Sequence, residues 1–192
     1  MAAGKTSAAR YIASHAPDIR VFPEDNLDII DEVRRRGLKK DVYEDYLAIQ
    51  RLFLLNEVRR WREAQPFACS VMDFGAEEIE FYTLHYPRSI GKPWAVTLPL
   101  ANELAAARAC MPRRILFLDA REDTLRRRRE ADSTRSRAFF EHYLTCLLPL
   151  KRAWFLSRPD VDVLQVDDMS REDVGRAAIA WARACMARHQ PE

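Results

Sequence analysis

The sequence predicts a three-layer α/β fold, a mostly parallel sheet with helices on both faces. Three observations lead there. Strand-like and helix-like segments alternate along the whole chain; Ile115-Leu116-Phe117-Leu118 is an unbroken β-rich apolar run; and strand after strand ends on a carboxylate, at Glu24, Asp73 and Asp119. The 192 residues are 48% hydrophobic and 31% charged, enough to bury one sizeable core, so a single domain over 1–192 is expected. No repeat, low-complexity stretch or linker divides it.

Taken in order, Ala8, Ala9, Ile12 and Ala13 fall at helical spacing over 7–15, and Pro17-Asp18 closes that helix. Ile19-Arg20-Val21-Phe22 reads as a short strand. It leads into Pro23-Glu24-Asp25-Asn26, whose last two residues can cap a helix running through Leu27, Ile30 and Val33 to a stop at Gly37. The longest helical pattern covers 43–65, with Tyr43, Leu47, Leu54, Val58 and Trp61 on one stripe. Gln50 shares that stripe, and is either a buried amide paired inside the protein or an amide offered to a ligand.

Pro66 ends the pattern, and 67–72 reads as a largely buried strand that stops at Asp73-Phe74-Gly75. A helix from Ala76 to about Leu84 is expected next, then a turn-rich loop over 86–94, either a connection or a substrate-side flap. Thr97 can cap a helix through Leu100, Leu104 and Ala107 to Cys110, which Pro112 ends. After the Ile115 strand comes the one strong charge cluster, 124–137, rich in arginine. A long helix over 138–156 carries Phe139, Tyr143, Leu147 and Leu150, with a kink at Pro149. Val161 to Val166 forms the last strand, and Ser170 with Asp173 makes a capping box for the terminal helix.

The net charge of +2 gives no overall electrostatic case for nucleic acid or a membrane surface, so any anion site is local. Cys69, Cys110, Cys146 and Cys185 are widely spaced, with no zinc-ligand or disulfide pattern, and read as core thiols in a reducing cytoplasm. No apolar run reaches the roughly 18 residues of a membrane span, and the start lacks a signal-peptide layout. A soluble, cytoplasmic protein is the expectation.

The chemistry-bearing motif is Gly4-Lys5-Thr6, running straight into a helix. It matches the second half of the phosphate loop G-x-x-x-x-G-K-[ST], in which backbone N–H groups and the helix N-terminus cradle phosphates, the lysine neutralises charge and the hydroxyl holds Mg²⁺. The loop's first glycine falls ahead of Met1, so the strand that feeds it is expected to be missing from this chain.

With this half-loop, the strand ending at Glu24, the long helix with Gln50, the strand ending at Asp73 and the arginine-rich segment after Leu118, the chain resembles the P-loop small-molecule kinases. The deoxynucleoside kinase and thymidylate kinase group looks most similar. That resemblance implies a P-loop NTPase fold whose first strand is central, and an ATP- and Mg²⁺-dependent phosphotransferase acting on a small acceptor, a nucleoside or nucleotide. It places Lys5 at the β/γ-phosphates, with Gly4, Thr6 and Ser7 completing the cradle, and assigns Thr6 and Asp73 to the metal. Glu24 would accept the acceptor hydroxyl's proton, and Gln50 would pair with a nucleobase. Asp73 matches the acid of the family's Asp/Glu-Arg motif, where Phe74 replaces the arginine. Arg128, Arg135 and Arg137 fall in the lid, over 124–138, that closes on the transferring phosphate. The alternative is a non-catalytic nucleotide-binding relic, or a truncated fragment of such a kinase. The small acceptor is the expected partner, with a homodimer left open. Nucleic acid is set aside, because the arginine cluster lacks interleaved aromatics.

Overall fold

The computed structural model describes residues 2–130 and 137–188. In chain order they form α1 Lys5–His15, β1 Arg20–Phe22, α2 Leu27–Arg35, α3 Tyr43–Ala64, β2 Ser70–Met72, α4 Ala76–Ser89, α5 Ala101–Arg108, β3 Ile115–Asp119, α6 Glu122–Glu130, α7 Arg137–His142, a π-helical turn Tyr143–Leu147, α8 Leu148–Leu156, β4 Val161–Gln165 and α9 Arg171–Ala187. This is a mixed α/β chain. Among the described residues no helix is long and apolar enough to cross a membrane.

The chain divides into two compact units. The first comprises Met1–Val21, Cys69–Asp73 and Arg113–Glu192, and the second Phe22–Ala68 and Phe74–Pro112. The sheet expected as one body is two parallel pairs among the described residues, β1 with β2 and β3 with β4. In the longer pair Ile115 lies opposite Val161 and Asp119 opposite Gln165. β2 and β3 are not hydrogen-bonded neighbours.

In the first unit, α1 and α9 pack closely because Gly175 carries no side chain. A Cβ there would lie 2.3 Å from Cγ of Tyr11. Ser170 and Asp173 form the reciprocal capping box that the sequence predicts for α9. Phe117 of β3 stacks on Phe155 of α8, with ring centroids 5.2 Å apart, and Leu144, Leu147 and Val166 are fully buried. Of the four thiols only Cys110, in the second unit, is buried; the other three are half-buried, a correction to the expectation of core positions.

The second unit is helical, with a core of α3 residues Tyr46, Leu47 and Leu54 against Ile79, Leu100 and Leu104. Gly37, at φ +65°, ends α2 where expected. The helix expected to stop near Leu84 instead continues to Ser89, through Pro87. A proline in a helix removes the N–H that would bond the carbonyl four residues back, here that of Thr83. That carbonyl instead accepts a 3.0 Å hydrogen bond from the Tyr46 hydroxyl of α3, so Pro87 leaves it satisfied. The irregularity expected at Pro149 lies one turn earlier, where Tyr143–Leu147 widens into π geometry and α8 then carries the proline in its first turn.

Candidate functional site

The residues singled out by the sequence divide between the units. The first holds Gly4, Lys5, Thr6, Ser7, Asp73 and Arg128, and the second holds Glu24 and Gln50. Arg135 lies outside the described residues. Arg137 opens α7, and its side chain lies outside them as well.

In the first unit Gly4 is the N-cap of α1, at φ 100° and ψ 11°. A Cβ at Gly4 would meet nothing within 4 Å, so glycine is required by the left-handed backbone and not by space. The Ala8 N–H makes the first helical bond, 2.9 Å to the Gly4 carbonyl. No side chain caps this helix and no acidic residue occupies its first turn. The positive end of the helix dipole therefore has neither a capping oxygen nor a local counter-charge from its own first turn. Lys5, Thr6 and Ser7 are half-buried there.

Asp73 follows β2 and is buried, at 5% exposure. Phe74, next along the chain, has φ +65°, a conformation that strains a bulky side chain. Asp119, at the end of β3, accepts a 2.9 Å hydrogen bond from Arg152 Nε and is committed within the unit.

The resemblance places Arg128 in the lid. Both of its terminal nitrogens are engaged by backbone: Nη1 donates to the Ala3 carbonyl at 3.3 Å, and Nη2 to the carbonyls of Val166 at 2.5 Å and Met169 at 3.1 Å. Partial burial draws its pKa below the usual arginine value, with Asp167 acting the other way. The β4–α9 turn that it grips is itself braced, since Asp167 accepts a 2.8 Å hydrogen bond from the Arg121 N–H.

In the second unit Glu24 is exposed, and its Oε1 accepts a 3.0 Å hydrogen bond from Asn26 Nδ2. Asn56 Nδ2 donates to the Asp25 carbonyl at 2.9 Å and so ties the Glu24 loop to α3. Gln50 is buried, and its Oε1 accepts from Thr83 Oγ1 at 2.8 Å. Its oxygen is thus paired inside the protein.

The residue that sequence reasoning missed is Arg60. Its side chain is 2% exposed and Nη1 contacts both oxygens of Glu57, at 2.7 and 2.8 Å. The same guanidinium donates to the carbonyls of Phe22 at 3.2 Å, Pro23 at 2.7 Å and Phe74 at 2.7 Å. Burial pushes the Glu57 carboxyl up, while Arg60 pulls it back. The three-residue spacing of Glu57 and Arg60 on one helix was a legible signal for the pair. Nothing in the sequence pointed to the three carbonyls.

Among the described residues no group of three or more His, Cys, Asp or Glu side chains is placed to hold a metal. A magnesium ion bound through nucleotide phosphates needs only one or two protein ligands, so the Thr6 hydroxyl and the Asp73 carboxylate, both in the first unit, are chemically adequate. No protein-family model, no curated protein and no solved structure matches the chain.

Proposed function

We propose that the protein is an ATP- and Mg²⁺-dependent phosphotransferase of P-loop kinase type, acting on a small hydroxylated acceptor such as a nucleoside or nucleotide. The observation that carries this reading is the start of α1: a left-handed glycine, then lysine and threonine, at a helix N-terminus with no cap and no acid in its first turn. The division of the strands into β1–β2 and β3–β4 is further support, because the P-loop fold sets its phosphate-loop strand between two such pairs.

Bound Mg·ATP supplies the transferable phosphoryl group. The N–H groups of the Gly4 to Ser7 turn would hold phosphate oxygens, Lys5 would neutralise their charge, and Thr6 and Asp73 would hold the metal. By the resemblance, Glu24 would receive the acceptor hydroxyl's proton and Gln50 would pair with a nucleobase. Catalysis of this kind is mainly positioning and charge neutralisation, so the nest outweighs the base.

A second reading, a nucleotide-binding relic without turnover, is favoured by one feature. Phe74 stands where the resemblance calls for an arginine, and Arg60, whose guanidinium holds the Phe74 carbonyl, is buried with Glu57 and cannot replace it. The test is Mg·ATP binding and phosphoryl transfer to a panel of nucleosides and nucleotides, with the parent and Lys5→Ala compared. The kinase reading expects transfer in the parent and a loss of about 100-fold or more in Lys5→Ala with an unchanged melting temperature. Binding without transfer supports the relic, and equal transfer by the two proteins overturns the assignment of Lys5.

A further inference from the structure

We propose that Arg128 is a positioning residue of the phosphate nest, fixing the direction of the Gly4 N–H through its hold on the Ala3 carbonyl. This rests on the reading of the Gly4 turn as an anion site. The Ala3–Gly4 peptide is trans, so its C=O and N–H point in opposite directions along one rigid plane. A guanidinium that pins the oxygen on one side therefore aims the hydrogen to the other.

The plane needs such a hold. Ala2 at φ +56° and Gly4 at φ +100° flank Ala3, and a glycine leaves rotation of the adjoining peptide inexpensive. Rotation would turn the Ala3 oxygen towards the anion in place of the Gly4 hydrogen, exchanging an attraction for a repulsion. Among the described residues the Gly4 N–H has no acceptor, which is what a donor reserved for a ligand requires.

The anchor at the other end is firm. Nη2 grips Val166 and Met169 together, on the two sides of a turn fixed by the bond from the Arg121 N–H to Asp167 and by the Ser170–Asp173 box. A lysine carries its three donors on a single nitrogen and has no planar fork, so it cannot hold Ala3 from one nitrogen while holding Val166 and Met169 from another. Arg128 thus acts on the phosphate through the backbone, without touching it.

The probe is inorganic pyrophosphate, titrated calorimetrically into the full chain as the parent, Arg128→Ala, Arg128→Lys and Lys5→Ala. The Gly4 amide resonance is followed in parallel. The expected result is a loss of about tenfold or more in affinity for Arg128→Ala and a partial loss for Arg128→Lys, from removal of bonds to a charged donor. The Gly4 amide should shift sharply with pyrophosphate in the parent and lose that response in Arg128→Ala, a change that a merely structural role would not produce.

Affinity within about twofold of the parent in Arg128→Ala, with Lys5→Ala strongly weakened, overturns the role of Arg128 and leaves the phosphate reading standing. No binding by the parent, or parent-like binding by Lys5→Ala, overturns the phosphate reading and the proposal with it. Should Arg128→Ala fail to melt cooperatively, Arg128→Lys decides by the same comparison; if it also fails, Arg128 is a folding residue and the proposal falls.

Discussion

Arg60 and Arg128 do the same local work in the two units, under opposite conditions. Each gathers three main-chain carbonyls, and each reaches one beside a left-handed residue: Phe74 itself at φ +65°, and Ala3 just ahead of Gly4 at φ +100°. Arg60 is sealed from water and carries its own counter-ion, Glu57. Arg128 is half-buried and has no carboxylate within ion-pair distance among the described residues. The difference follows from desolvation. A guanidinium does not give up its proton, so full burial demands an anion, whereas at the edge of solvent carbonyl dipoles and water suffice.

The largest expected effect breaks this comparison at its buried end. Arg60→Met leaves the Glu57 carboxylate and three carbonyls without their donor, and should cost about 3–5 kcal/mol in urea unfolding. Adding Glu57→Met should recover much of that loss; a double variant no better than the single would mean that the carbonyl grip, and not the orphaned charge, dominates. At the half-exposed end, Arg128→Met should cost less, about 1–3 kcal/mol, because it orphans the buried Val166 carbonyl but no carboxylate. Equal losses for Arg60→Met and Arg128→Met would erase the distinction between the two sites.

The smallest effect is one of pH, and one carboxyl from each unit should differ in sign. The folded protein holds the Glu57 proton more tightly than the unfolded chain does, through burial, so this group lowers stability as the pH rises from the ordinary 4.5 through the raised value. In the first unit Asp162 is held below its ordinary 3.8 by the Trp181 indole N–H, 2.8 Å away, and then by Arg114. Its contribution is complete above 3.8 and is lost as the pH falls through the lowered value. Unfolding free energy measured against pH should lose the first slope in Glu57→Gln and the second in Asp162→Asn. A matching sign in both would show that burial does not govern Glu57.

The elements with strong local signals were legible in the sequence. β3 and β4 are runs of β-formers, α3 is a long apolar stripe observed within a residue of its expected end, and the Ser170–Asp173 box is a three-residue pattern that needs no tertiary partner. What escaped depends on distant atoms. The reach of α4 past Pro87 rests on a tyrosine hydroxyl 37 positions away, and the hold of Arg128 on Ala3 spans 125 positions. A glutamine on the core stripe could be read two ways, and only Thr83, brought in by α4, shows its oxygen paired inward. Of the candidate site, the glycine, lysine and threonine of α1 were readable because they are contiguous. Asp73 and Glu24 were readable as residue types at strand ends, but their burial and bonding were not.

The π-helical turn at Tyr143–Leu147 means that the stretch from Arg137 to Leu156 contains one more residue than an α-helix of the same height would hold. Its two halves are therefore out of phase, and that extra residue sets their relative rotation. Deleting the exposed Thr145 would let the turn close to ordinary α spacing and swing α7 by about 100° against α8. Chain length in this turn acts as a dial for the direction of α7. A single-residue deletion there should therefore disturb the protein far more than a substitution at the same exposed position.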